Sequence, residues 1–139
     1  MVKNISQKMK TKNLKQTVKF NCKPSDVYEM IMDAKKHSKF TGSKVTMSKK
    51  KGGKFSAYDN YITGLNVELI EGKKIIQHWN FKEDGWPDDY FTQCTFDFKK
   101  DGKGTKLAFT QIGIPEHKYE ALKSGWKEYY WGPMKLMLK

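Results

Sequence analysis

A chain of 139 residues with 37% apolar and 14% aromatic side chains can pack one domain without a metal or disulfide staple, which excludes a wholly disordered protein. No apolar run approaches the roughly 18 residues of a membrane-spanning helix. The start MVKNISQKMKTKN lacks a secretory stretch, and Cys22 and Cys94 form neither metal-ligand spacing nor a disulfide framework, so a reduced, cytoplasmic protein with no membrane insertion is expected.

Residues 1–12 hold four lysines and no acid and read as a disordered basic tail, with Met9 a second candidate start. A single domain is expected over 13–139. From Asn13 the residues Leu14, Gln16, Val18 and Phe20 alternate with polar neighbours, the pattern of a half-buried strand. Pro24 and Ser25 suit the first turn of a helix, Asp26 and Glu29 complement its positive end, and Val27, Met30 and Ile31 form its apolar stripe. A second short helical or irregular piece around 35–40 ends at Gly42.

From Ser43 to Gly113 the pattern is strand-like. Val45 to Met47 is short, and the Lys49–Gly53 cluster makes a turn into Phe55 to Tyr58. A turn at Asp59-Asn60 leads to a long strand, 61–70, with Tyr61, Thr63, Leu65, Val67 and Leu69 on one face. In 74–82, Ile75, Gln77, Trp79 and Phe81 oppose Ile76, His78 and Asn80. The loop 83–88 carries Gly85, Trp86 and Pro87, and 90–99 with 105–112 form a hairpin across Asp101-Gly102-Lys103-Gly104. After Pro115 the period becomes 3.6: Tyr119, Leu122, Trp126, Tyr129, Tyr130, Pro133, Leu136 and Met137 share a stripe. One helix is expected over about 116–138, bent or interrupted near Pro133. It must cover the apolar face of the sheet.

These elements, in this order, resemble the helix-grip fold of the START and birch-pollen-allergen superfamily (SRPBCC). More narrowly the chain resembles the C-terminal domain of the activator of heat-shock protein 90 ATPase. The carriers are Lys23-Pro24-Ser25-Asp26-Val27-Tyr28, Gly52-Gly53-Lys54-Phe55, Gly64, Trp79-Asn80-Phe81, Trp86-Pro87, Ile114-Pro115 and Gly125-Trp126-Lys127-Glu128-Tyr129-Tyr130. The resemblance implies an α+β domain, a curved antiparallel sheet wrapped around a long C-terminal helix with one or two short helices after the first strand. It also implies a co-chaperone-like partner of a heat-shock protein 90-type chaperone. In that family the larger stimulation needs a separate N-terminal domain, which is not expected within these 139 residues. Other branches of the superfamily bind hydrophobic ligands or act as cyclases, so fold alone does not decide.

The net charge is +12, and all 27 basic residues are lysine. A sequence-specific nucleic-acid reader without one arginine fork is not expected. Residues 1–54 hold fifteen lysines against Asp26, Glu29 and Asp33, while the rest is balanced. Lys44, Lys49, Lys50, Lys51 and Lys54, around the Gly52-Gly53 turn, are the candidate contacts for an acidic partner. Gly52-Gly53 itself lacks the spacing and following helix of a phosphate loop.

No catalytic constellation emerges. His37, His78 and His117 lie on different elements without metal spacing, and His78 reads as solvent-facing. Asp88 and Asp89 are consecutive and point to opposite faces, and Cys94, in phase with Thr92, Phe96 and Phe98, reads as a small hydrophobe. A binding protein without cofactor or metal is expected. The rival reading is a cyclase-like enzyme using Gln77, Gln93 or Gln111. A small hydrophobic ligand would sit among Phe55, Leu65, Val67, Trp79, Phe81, Cys94, Phe96, Phe109, Gln111, Leu122, Trp126 and Tyr130. Their bulk favours a small or nearly closed cavity.

Overall fold

A computed structural model describes residues 9–138; of the expected tail at 1–12, residues 1–8 lie outside them. The first strand, β1 (Thr11–Phe20), already includes Thr11 and Lys12, which the sequence reading assigned to the tail. Helix α1 (Pro24–Met32) starts from an extended Lys23 with Pro24 in its first turn, where the missing N–H costs nothing. Asp33 leaves the helical region and stops it. The same residue starts α2 (Ala34–Thr41), its side chain accepting from the Lys36 N–H at 3.0 Å. That backbone hydrogen bond holds the Asp33 carboxyl below its ordinary value. Gly42, left-handed at φ 71°, closes α2.

The remaining strands are β2 (Thr46–Met47), β3 (Lys54–Ala57), β4 (Ile62–Ile70), β5 (Lys74–Phe81), β6 (Thr92–Asp101) and β7 (Gly104–Pro115). They form one seven-stranded antiparallel sheet in the order β1-β7-β6-β5-β4-β3-β2. The inner faces of β5 to β7 follow the alternation: Ile75, Gln77, Trp79 and Phe81, then Cys94, Phe96 and Phe98, then Leu107, Phe109 and Gln111 are buried.

Two expectations change. In β4 the buried face is Ile62, Gly64 and Asn66, so Leu65 sits on the outer face and Val67 falls at a register shift between Asn66 and Glu68. The inner residues are small or polar for a reason. A Cβ at Gly64 would run into the His78 carbonyl and the Phe55 ring, and Asn66 binds backbone rather than filling space.

The second change is in the C-terminal helix, which is not uniform. A 3-10 turn (Glu116–Lys118) leads into α3 (Tyr119–Trp126), a π-helical turn (Lys127–Trp131) and α4 (Gly132–Met137). Pro133 has no N–H for the Tyr129 carbonyl and its ring would crowd that oxygen, so the helix widens by one residue just before it. The Gly132 N–H then donates to the Lys127 carbonyl, five residues back. The extra residue rotates the buried stripe. Trp126, Tyr130, Trp131 and Met134 are buried, while Tyr129 and Leu136, expected on the stripe, are 51% and 70% exposed.

Candidate functional site

The centre of the grip is filled. Trp126 lies 4.4 Å from the Phe109 ring centre and 5.0 Å from that of Trp79, with Phe96 and Trp131 closing the same cluster. Phe55, Cys94, Phe96, Phe109 and Gln111 are buried here as packing rather than as cavity lining. Burial pushes the Cys94 thiol well up, which suits an inert side chain rather than a nucleophile.

Two buried glutamines hold the tryptophans. Trp126 Nε1 donates to Gln111 Oε1 at 2.8 Å, and Gln111 Nε2 donates to Thr92 Oγ1. Trp79 Nε1 donates to Gln77 Oε1 at 2.9 Å, and Gln77 Nε2 donates to Asn66 Oδ1 at 2.9 Å. The Asn66 amide in turn donates to the carbonyls of Ser48 and Lys50. Its backbone exchanges hydrogen bonds with Gly52 and Gly53. The lysine-rich turn is therefore tied through three buried side chains to the wall of the site.

An open cavity of about 460 Å³ lies at one end of the grip, where the bulk of the core had suggested a nearly closed space. Of the twelve residues named from sequence, Trp79, Phe81, Leu122, Trp126 and Tyr130 line it. Leu65 lines a second open pocket, of about 440 Å³, on the other face of the sheet with Thr63 and Phe91, and Val67 is not at either pocket. The sequence reading missed Tyr58, Tyr61, Trp86, Gly125 and Tyr129. Trp86 packs on Phe81 at 4.7 Å and donates Nε1 to the Tyr90 carbonyl, sealing one end. Tyr58 belongs to a turn in which Tyr58, Asp59 and Asn60 all have positive φ, 50° to 73°. Non-glycine residues rarely adopt this conformation, and such strain gathers at ligand clamps and switches. The Asp59-Asn60 pair was the one local signal for it.

The mouth is polar. Lys118 pairs with Glu83 and donates to the Asp84 carbonyl, while the Tyr61 hydroxyl donates to Glu83. Burial and that hydrogen bond raise the Tyr61 phenol. His117 Nε2 lies 2.8 Å from the Gly85 carbonyl, and His78 is half-exposed on the outer face of β5.

His37 is fully buried. Its Nδ1 is 3.0 Å from the Ile31 carbonyl, which only accepts, so Nδ1 carries the proton and Nε2 accepts from the Tyr130 hydroxyl at 2.7 Å. It thereby fastens α2 to the π-helical turn. Burial lowers this imidazole to about 4 from an ordinary 6.5. The unfolded chain binds the proton first, so the stabilisation is complete above pH 6.5 and is lost as pH falls toward 4. By pH 5 the loss should reach about 2 kcal/mol. Urea unfolding at pH 7 and pH 5 checks this: His37→Phe should lose that part of the slope, and an unchanged slope would refute the assignment.

At the lysine turn, Lys49 pairs with Glu29 and Lys51 with Glu68, each at 3.4 Å. Lys44, Lys50 and Lys54 are exposed and form no ion pair among the described residues.

A seven-stranded antiparallel sheet gripping a C-terminal helix, with an aromatic cavity between them, defines a helix-grip protein. The chain belongs to the family described as activator of Hsp90 ATPase homolog 1-like protein, which matches residues 21–139. It is 38% identical over 123 residues to an activator of 90 kDa heat shock protein ATPase homolog of Dictyostelium discoideum, covering 88% of this chain and 32% of that protein. It is 30% identical over 122 residues to activator of 90 kDa heat shock protein ATPase homolog 1 of Homo sapiens, covering 88% and 35%. The chain thus spans about a third of the length of these relatives. Among solved structures, an HSP90 activator from Plasmodium falciparum superposes with a TM-score of 0.83 at 24% identity, over 91% of this chain and 95% of that one. That likeness bears on the fold.

Proposed function

We propose that this domain is a binding module for an Hsp90-type chaperone, acting as a co-chaperone rather than an enzyme, in the cytoplasm. The observation that carries the reading is the 38% identity to the Dictyostelium activator homolog across 88% of the chain. The committed polar groups favour binding over catalysis: Gln77 and Gln111 spend their carbonyls on Trp79 and Trp126, and Gln93 lies on the partly exposed face of β6, away from the cavity. A cyclase would need such groups free and aimed at a substrate. Lys44, Lys50 and Lys54 give the β2–β3 turn an exposed positive charge suited to steering an acidic partner. The test is the ATP hydrolysis rate of the chaperone from the organism that encodes this chain. Added domain should form a complex with the chaperone and raise the rate only weakly, and no complex at saturating domain would count against the co-chaperone role.

The open aromatic cavity supports a second reading, carriage of a small hydrophobic ligand, because about 460 Å³ falls in the range of small-molecule sites, roughly 300–1,000 Å³. Mass spectrometry of protein purified under native conditions should then show a co-purifying apolar molecule. A clean apo mass, together with no shift in Tm on adding apolar ligands, would remove this reading.

A further inference from the structure

The outer face of the sheet carries a second positive surface, away from the β2–β3 turn. Lys19 on β1 stands directly opposite Lys106 on β7, and Lys106 stands directly opposite Lys99 on β6. All three are exposed and none forms an ion pair among the described residues. With neighbouring strands about 4.8 Å apart, the row spans about 10 Å.

Like charges directly opposite one another destabilise a sheet. A lysine on an edge strand has a structural reason, since it blocks pairing with another chain, and that accounts for Lys19 on β1. It does not account for Lys106 or Lys99, which lie on interior strands. Asp97, two residues before Lys99 on the same face of β6, is opposite Ala108 and Lys74 and forms no ion pair among the described residues, so it does not cancel the row.

The other end of the same two strands is apolar. Ile112, six residues beyond Lys106 on β7 and therefore about 20 Å away, points outward opposite Gln93 and is 47% exposed. Phe91, just before β6, is 42% exposed. Between the two ends the outward positions Ala108, Thr110 and Thr95 are small and uncharged, and Asp97, opposite Ala108, is a carboxylate that the docked segment must pass.

We propose that the outer face of β6 and β7 is a docking surface for an acidic protein segment, whose carboxylates meet Lys19, Lys99 and Lys106 and whose apolar side chain covers Ile112. A protein fits better than a nucleic acid. The row offers point charges without an arginine fork, and Phe91 lies at the far end of the strands rather than beside the row, where a stacked base would need it. That the segment belongs to the chaperone rests on the reading above; the surface itself does not.

The probe is a short labelled peptide with glutamates at one end and leucines at the other, titrated into the full chain by fluorescence anisotropy at low salt. Lys99→Glu with Lys106→Glu should weaken binding about tenfold or more, the sum of a few exposed charge pairs. Ile112→Glu should weaken it as well, and Lys50→Glu on the turn should not. Lys99→Thr with Lys106→Thr guards against misfolding. This variant keeps strand-forming residues and relieves the repulsion, so it should melt no lower than the parent and still bind less. Unaltered binding by the folded double variants, or no binding by the parent, overturns the proposal. An oligonucleotide of equal charge bound as tightly, with no dependence on Ile112, overturns the choice of a protein partner. If the chaperone binds the parent and the Lys99/Lys106 variants equally, this surface is wrong while the chaperone reading stands. If the peptide binds here and the chaperone does not, the reverse holds.

Discussion

Replacing Trp126 by alanine is expected to destabilise the domain by about 3–5 kcal/mol, the usual cost of truncating a large buried aromatic. Trp126 is 3% exposed and packs on Phe109, Tyr130, Trp79 and Trp131, with ring centres 4.4 to 5.3 Å apart. The truncation would empty the middle of the grip and leave the Gln111 carbonyl without its donor. Domains of this size hold only about 5–15 kcal/mol in all, so the variant should sit near its unfolding threshold. Thermal unfolding by circular dichroism would register a fall of about 10–20 °C. Trp126→Phe, which keeps most of the packing and loses the N–H, should fall less. An alanine variant with an unchanged Tm would mean that the helix does not close on the sheet through this residue.

Asn66→Leu should be the second large loss, about 3 kcal/mol, although the substitution adds apolar volume. The residue is fully buried, and its amide satisfies the carbonyls of Ser48 and Lys50 while accepting from Gln77. Leucine would leave the Ser48 carbonyl and the Gln77 N–H without their partner, each costing roughly 1–3 kcal/mol less whatever relaxation recovers, while the Lys50 carbonyl keeps the Gly53 N–H. Hydrogen exchange separates this from a general loss of stability. The amides of Gly52 and Gly53, whose turn Asn66 holds, should exchange faster than those at the centre of β6 and β7. Equal protection across all of them would show that Asn66 does not anchor the lysine turn.

These two residues also show where the sequence was legible. Trp126 was readable because α3 obeys a simple period, and β5 to β7 because both faces of each strand keep a clean apolar and polar alternation. Gly42 and the Asp101–Gly104 hairpin were readable from turn chemistry. Strand β4 was not. Its outward positions Leu65 and Val67 are more apolar than its inward Gly64 and Asn66, since one inward site has no room and the other grips a turn. Hydrophobic alternation carries no sign of either need. The far end of the C-terminal helix was lost for a different reason. Pro133 signalled a disturbance, but not that it would be absorbed as one extra residue that turns Trp131 inward and Leu136 outward. The cavity lining depends on Tyr58, Tyr61, Trp86 and Tyr129 meeting from separate elements, with one aromatic held by a strained turn. No local pattern encodes that meeting. The family resemblance, by contrast, rested on short motifs spread along the chain, and the match over residues 21–139 bears it out.

Binding of an Hsp90-type chaperone, as proposed, would be steered by the exposed Lys44, Lys50 and Lys54 around the β2–β3 turn. Isothermal titration of the purified domain into its own organism's chaperone, at low and raised ionic strength, tests it most directly. Saturable binding that weakens as salt is added, and weakens again when lysines are reversed to glutamate, is the predicted result. No heat and no complex at about 100 µM, equivalent to a binding free energy weaker than about −5.5 kcal/mol, would contradict it.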